Sequence, residues 1–358
     1  MTSPLPSSVS PSWSNVTSHL NPNKTTCDEN ESFKYLAYTI TYSIVFPIGV
    51  ISNCVALYVF CCLTSKKTAN TVFMTNLAIS DAGFSLTLPF RLVYYFRGCQ
   101  WDFPDWLCRW CVFSFYLNLY TSVLFLTGLS VLRYIAVVHP IKAKSLITVR
   151  RASLACLGIW IFVSCLSSPF LMSSTIWREE KWRCFEPGND KSWMRIFILN
   201  YVGIFFGFLI PFITILACYG CIMCKLVLGG KIGNRKRNTR QRTVYLIAVV
   251  LCTFLVCFLP YHVARTIHLH ARVSGKSCEV IEMLLRVLVI SLCTAASNSC
   301  FNPLLYYFAG ETFRSTIRRG SDRGTASSLR HSSNQSFRMK ISDTWDSMRR
   351  KNYQSPCS

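Results

Sequence analysis

The stretch that decides the fold is Cys108–His139, CRWCVFSFYLNLYTSVLFLTGLSVLRYIAVVH. It is apolar for most of its length, yet it starts on a cysteine, carries polar side chains within, and reaches Leu132-Arg133-Tyr134 near its end. A hydrocarbon core of roughly 30 Å takes about 20 helical residues. This stretch exceeds that length, so its helix tilts and protrudes. One end then holds a disulfide at one membrane face, and the other presents Arg133 at the opposite face. An element with a task at each face points to signalling across a bilayer.

The rest of the chain agrees. Of its 358 residues, 51% are hydrophobic and 15% are charged, which is too apolar for an ordinary soluble domain. The net charge of +22 would suit nucleic acid, but the basic residues sit in short clusters between apolar runs. That pattern fits loops over an anionic leaflet and argues against a nucleic-acid partner. Nineteen cysteines suggest a disulfide scaffold, yet most, such as Cys54, Cys156 and Cys257, fall inside apolar runs where a thiol is a small hydrophobe. No cleavable signal peptide is visible in the polar Met1–Lys34, so the first span is expected to act as the insertion signal.

Seven apolar segments follow that tail, about Tyr35–Cys62, Asn70–Phe96, Leu107–His139, Ala152–Met172, Phe197–Val227, Thr243–Leu269 and Ile281–Phe308. Backbone satisfaction in lipid makes each a helix. The expected architecture is therefore all-α: a seven-transmembrane helix bundle with a short amphipathic helix after the seventh span. The chain divides into a glycosylated extracellular tail (1–34), the membrane domain (35–309), the amphipathic helix (310–320) and a disordered cytoplasmic tail (321–358). Asn15, Asn23 and Asn30 head three glycosylation sequons in the first tail. Loops bearing Lys66 and Lys67, Lys142 to Arg151, and Lys231 to Arg242 fall on the other side. Both signals give the same orientation, N-terminus outside and C-terminus inside, in the plasma membrane. Prolines at 89, 169, 211, 260 and 303 are expected to kink the spans.

Three constellations carry chemistry. Asp81 is the acidic residue deep within a span, so it should face the bundle interior with polar partners. Asn53, Ser122, Asn298 and Asn302 supply either a hydrogen-bond network or a site for a sodium ion. Arg91 and Arg265 lie at similar depth in the outward halves of two spans. Guanidinium groups there either snorkel to headgroups or grip a shared anion bidentately. Tyr94, Tyr116, Tyr120, Tyr261 and His262 fall near the same level and His268 follows at the rim, which predicts a ligand with an acidic end and a large apolar surface. The histidines do not share one helical face, so they are read as pocket or rim groups and no metal site is expected. Arg133, with Tyr219 and Tyr306 near the same end, is the expected switch. For disulfides, Cys108–Cys184 and Cys27–Cys278 are the expected pairs, with Cys99 left over as a competitor.

Taken in order, Asn53, Leu77-Ala78 with Asp81, Arg133, Trp160, Pro211, Phe258 with Pro260, and Asn302-Pro303-Leu304-Leu305-Tyr306 fall one set per span. The chain resembles the rhodopsin-like G-protein-coupled receptors from about Tyr35 to Arg314. Within that class it is similar to the cysteinyl leukotriene receptors, through Gly158 to Val163, Ser167 to Met172, Cys184 to Pro187, Pro260-Tyr261-His262 and Arg265 to Leu269. The resemblance implies no enzyme activity, a peptide-conjugated acidic lipid mediator as agonist, coupling mainly to Gq-class G proteins with calcium release, and arrestin and receptor kinases at the tail. Leu132 stands where an acidic residue usually precedes the arginine, and Phe258 replaces a common tryptophan. The competing readings are a nucleotide or dicarboxylate receptor of the same class and, more remotely, an organic-anion transporter. A transporter calls for internal repeats and paired broken helices, and neither is visible.

Overall fold

The computed structural model describes residues 32–309 and Phe313, except 65, 173–174, 179, 186–189 and 229–233. The three sequons, Cys27, the expected amphipathic helix apart from Phe313, and the C-terminal tail lie outside the described residues.

The first span is α1 (Ser32–Tyr58), which ends in a π-helical turn, Val59–Leu63. The second is split into α2 (Ala69–Ser85) and α3 (Leu88–Phe96). The third is α4 (Asp105–Val138), followed by the short α5 (Pro140–Leu146). The fourth is α6 (Val149–Ser167), tightening into a 3-10 turn to Met172. A hairpin, β1 (Ile176–Arg178) and β2 (Lys181–Arg183), leads to the fifth span, α7 (Asp190–Val202) and α8 (Ile210–Leu228) around a π-helical stretch. The sixth, α9 (Asn234–Thr253) and α10 (Leu259–Val273), is likewise joined through π-helical Phe254–Phe258. The seventh is α11 (Cys278–Ala296) with α12 (Asn298–Ala309).

The expected boundaries hold to within a turn or so at most ends, and the first, fifth and sixth spans run longer. Six of the spans are single continuous runs of 24 to 37 residues, apolar enough to cross a membrane. The second crosses as two shorter pieces of 17 and 9 residues.

Proline explains three of the places where the helices lose regularity. It lacks an N–H and collides with the carbonyl four residues earlier. The break at Leu86–Thr87 precedes Pro89, the π stretch at Gly203–Leu209 precedes Pro211, and the one at Phe254–Phe258 precedes Pro260. Thr87 turns its own hydroxyl onto the Phe84 carbonyl at 2.7 Å, satisfying a group near the break. Pro303 sits inside α12 without a break, six residues after the interruption at Ser297.

Helix α4 is the hub, packing against α2, α6 and α8. The outward surface is apolar instead of polar: Ile40, Ile44, Ile48, Ile51 and Val55 run exposed along α1, and Leu154, Leu157 and Ile161 along α6. In water such stripes would drive association; in lipid they are the required solvent-facing side. Small residues permit close approach inside. A Cβ on Gly49 would meet Ser85 Oγ at 2.5 Å, and one on Gly128 would meet the Phe73 ring at 2.2 Å.

Candidate ligand cavity and signalling core

A cavity of about 920 Å³ opens at the hairpin end of the bundle. The break in the second span positions its floor. It restarts the helix at Leu88, so Arg91 turns inward and is 6% exposed. Arg91 Nη2 donates to the Cys111 carbonyl at 2.6 Å, and its guanidinium lies 4.4 Å from the Phe185 ring centre and 5.5 Å from that of Phe115. The Tyr42 hydroxyl accepts from the same group. Its Nε, buried, has no hydrogen-bond partner.

Arg265 enters from α10 on the other side. Its guanidinium lies 5.4 Å from the Tyr116 ring centre and 5.8 Å from that of Tyr261, and the Tyr116 hydroxyl hydrogen-bonds it. Both arginines therefore rest on rings and neutral acceptors, and both line the same cavity. Neither snorkels to the bundle exterior.

The wall carries further charge. Lys34, Arg178, Lys181, Arg183, Arg195 and Arg272 join the two floor arginines, and no carboxylate lines the cavity among the described residues. Most of the rim set comes from the hairpin and from helix ends. The hairpin is held over the opening by the Cys108–Cys184 disulfide, whose Cα atoms are 5.9 Å apart. Trp101 N–H donates to the Trp182 carbonyl at 2.8 Å, and Asp105 accepts from Thr175 N–H at 2.7 Å. Cys99 keeps a buried thiol and does not compete for either bridge. Cys278 is disulfide-bonded; its expected partner, Cys27, lies outside the described residues. The rest of the lining mixes aliphatic and ring side chains, Val112, Phe115, Phe170, Leu199, Leu285 and Leu288, with polar ones, among them Tyr38, Tyr94, Tyr116, Ser192 and His268.

The expected ligand residues divide. Arg91, Tyr94, Tyr116, Arg265 and His268 line the cavity; Tyr120, Tyr261 and His262 do not. Tyr261, 0% exposed, lies beneath Arg265. Tyr120 is buried against the fifth span, stacked near His262, which packs 4.7 Å from Phe208. All three are buried in the packing between helices instead. The three histidines face three different places. His262 is in the core, His268 is beside Trp193, and His270 hydrogen-bonds Tyr201.

Below this floor lies the polar core. Asp81 Oδ1 accepts from Asn118 Nδ2 at 2.9 Å and Ser122 Oγ at 3.4 Å, and its Oδ2 accepts from Asn302 Nδ2 at 2.7 Å. Asn302 also donates to Asn298 Oδ1 at 3.0 Å. Asn53 Nδ2 donates to the Ser299 carbonyl at 3.0 Å and its Oδ1 accepts from the Tyr306 hydroxyl at 3.3 Å. All five expected members are fully buried, and four spans are stitched through them. Asn118, missed in the sequence, is the central donor from α4. At the far end Ser130 Oγ donates to the Tyr219 hydroxyl at 2.7 Å, and Arg133 interacts electrostatically with Tyr219. Tyr306 points instead into the polar core, so only one of the two expected tyrosines is placed beside Arg133.

A broken second span, a disulfide-anchored hairpin and a buried carboxylate shared by three helices now have a common context: the family model of the seven-transmembrane receptors, rhodopsin family, matches residues 52–306. The chain belongs to the rhodopsin family of seven-transmembrane receptors. It is 41% identical over 313 residues to human cysteinyl leukotriene receptor 1, covering 85% of this chain and 92% of that receptor. It is 42% identical over 291 residues to mouse cysteinyl leukotriene receptor 2, covering 80% and 92%, and 37% identical over 303 residues to human lysophosphatidic acid receptor 6, covering 83% and 87%. It is thus a multi-pass membrane receptor of a family that works through heterotrimeric G proteins, and not a member of an enzyme family.

Proposed function

We propose that this receptor recognises an anionic lipid mediator of the cysteinyl leukotriene class and signals mainly through Gq-class G proteins and calcium. The observation that carries the reading is the lining of the cavity: eight Lys and Arg side chains, two of them at the floor, together with an apolar wall of Val112, Phe115, Phe170, Leu199, Leu285, Leu288 and Leu292. A ligand with carboxylates at one end and a long hydrocarbon surface satisfies both halves. Bidentate guanidinium–carboxylate pairing supplies the specificity, and burial of the hydrocarbon supplies the bulk of the affinity. The volume lies at the large end of the range of about 300–1,000 Å³ for organic ligands, more than a dicarboxylate needs. The similarity to receptors named for leukotrienes and for lysophosphatidic acid favours a lipid over a nucleotide.

The same reading sets the orientation. The hairpin end faces outside with the glycosylated tail, and the Arg133 end faces the cytosol, where the G protein, and then arrestin and receptor kinases at the tail, engage. The polar core would hold a sodium ion as a negative modulator. Asp81 supplies the charge, and the buried Asn302 Oδ1, which has no hydrogen-bond partner, supplies a waiting acceptor.

The test is a calcium-release screen in transfected cells with cysteinyl leukotrienes, lysophosphatidic acid, nucleotides and dicarboxylates. A response to leukotrienes is expected. A response confined to nucleotides or dicarboxylates would overturn the ligand class.

A further inference from the structure

We propose that Cys61 and Cys62, at the Arg133 end of the first span, form a site of reversible S-acylation by a long-chain fatty acyl group. The assignment rests on the orientation proposed above, since the acyl donor is cytosolic.

The two thiols are adjacent and both exposed on the outside of the bundle. They sit in the π-helical turn Val59–Leu63, in which Val59 and Phe60 are buried and Leu63 is exposed. The turn thus sends Phe60 inward and leaves both cysteines facing lipid. π-helical turns are rare and collect at functional positions. The helix ends at Thr64, and Lys66 and Lys67 follow, both exposed. That sequence of exposed Leu63, helix end and paired lysines marks the boundary between hydrocarbon and headgroups. Both thiols therefore lie where a chain attached to sulfur runs directly into the bilayer while the sulfur itself stays within reach of an interfacial donor.

The other cysteines sharpen the assignment. Cys111, Cys156, Cys218 and Cys257 are buried inside the bundle and inaccessible. Cys54 is exposed on the same helix, but eight residues earlier, about 12 Å deeper at about 1.5 Å per residue. Cys221 and Cys224 are exposed near Lys225 on α8, a full turn apart and on a regular helix. Among the described residues, only Cys61 and Cys62 combine adjacency, exposure and a basic boundary.

The site also has a mechanical address. Phe60 packs edge-on to Tyr306 and tilted against Phe313, both at 5.4 Å between ring centres. An acyl chain beside Phe60 would hold the end of the first span to the membrane next to the base of the seventh, where Tyr306 reaches Asn53.

The chemistry balances. The cysteine thiolate attacks the carbonyl carbon of an acyl–coenzyme A thioester. A new sulfur–acyl bond forms as the bond to the coenzyme sulfur breaks, and the departing coenzyme thiolate takes up the proton the cysteine lost. No oxidant or reductant is consumed.

The full-length receptor, expressed in mammalian cells, provides the test. Existing thiols are blocked, thioesters are cleaved with neutral hydroxylamine, and each released thiol receives a polymer mass tag. Hydroxylamine-dependent tags are expected on the wild type, lost in the Cys61→Ser/Cys62→Ser double variant, and retained in Cys54→Ser and Cys357→Ser. An untagged wild type, or a ladder unchanged in the double variant, would overturn the assignment. Should the double variant fail to reach the surface, mass spectrometry of the wild-type peptide carrying Cys61 and Cys62 decides: an acyl mass supports the site and bare thiols contradict it. A parallel glycosidase shift reads the orientation. An unglycosylated N-terminal tail would defeat the topology itself, whereas a glycosylated receptor with bare Cys61 and Cys62 would defeat only the acylation.

Discussion

The Tyr116 ring contacts both Arg265, whose guanidinium lies 5.4 Å from its centre, and Phe170, stacked on it at 3.6 Å and 10°. Three spans meet at this ring: Tyr116 from α4, Arg265 from α10, and Phe170 from the 3-10 turn closing the fourth span. The arginine is held in place by a ring and a phenolic oxygen, both of which leave its charge uncompensated for a ligand. Tyr116→Phe should retain the ring and lose the hydroxyl, weakening agonist binding by several-fold, about 0.5–1.5 kcal/mol. Tyr116→Ala removes both supports and should cost more. Radioligand saturation binding on the two variants checks the order.

The disulfide that anchors the hairpin should matter to the ligand more than to the bundle. Cys184→Ser releases a segment that carries Arg178, Lys181 and Arg183 over the opening. Binding is expected to fall sharply, and thermal stability of the detergent-solubilised receptor by about 2–4 kcal/mol. Fluorescence-detected thermal unfolding alongside ligand binding measures both.

The contact between Tyr120 and the fifth span leaves no room for side chains. A Cβ on Gly203 would lie 2.1 Å from the Tyr120 hydroxyl, and one on Gly207 would lie 2.4 Å from its ring. Gly203→Ala and Gly207→Ala should each destabilise by about 1–3 kcal/mol through overpacking. Gly158→Ala is the control: nothing lies within 4 Å of its Cβ, and alanine favours a helix by up to about 1 kcal/mol. Melting temperatures of the three variants should fall, fall and hold or rise.

In the polar core, Asp81→Asn keeps the shape and removes the charge. Agonist affinity in wild type should decline as sodium chloride replaces an organic-cation salt, and that dependence should vanish in the variant. Asn118→Ala should destabilise by about 1–3 kcal/mol, since it deprives a buried carboxylate of its 2.9 Å donor. Binding isotherms in the two salts, with unfolding curves, check each effect.

These features were unequally visible in the sequence. Seven spans followed from apolar length, and Asp81, Arg91 and Arg265 stood out because charge within a span is costly enough to require a partner. Asn118 is not legible in the sequence because an amide among leucines and tyrosines carries no such cost signal; its 2.9 Å approach to Asp81 identifies it. Tyr120, Tyr261 and His262 fall near the level of the arginines in sequence position, yet do not line the cavity. Position along the chain gives depth at about 1.5 Å per residue, while direction shifts by about 100° per residue, and the π stretches before Pro211 and Pro260 alter that count. The rim cations Arg178 and Lys181 depend on a hairpin seated by a disulfide and by Trp101, which no periodic pattern encodes.

The most direct test of the central claim is equilibrium binding of a radiolabelled cysteinyl leukotriene to Arg91→Ala and Arg265→Ala at matched surface expression. Each substitution is predicted to raise Kd by roughly 10- to 100-fold, the loss of about 1.5–3 kcal/mol expected for a charged hydrogen bond. Wild-type affinity in both variants would contradict the account.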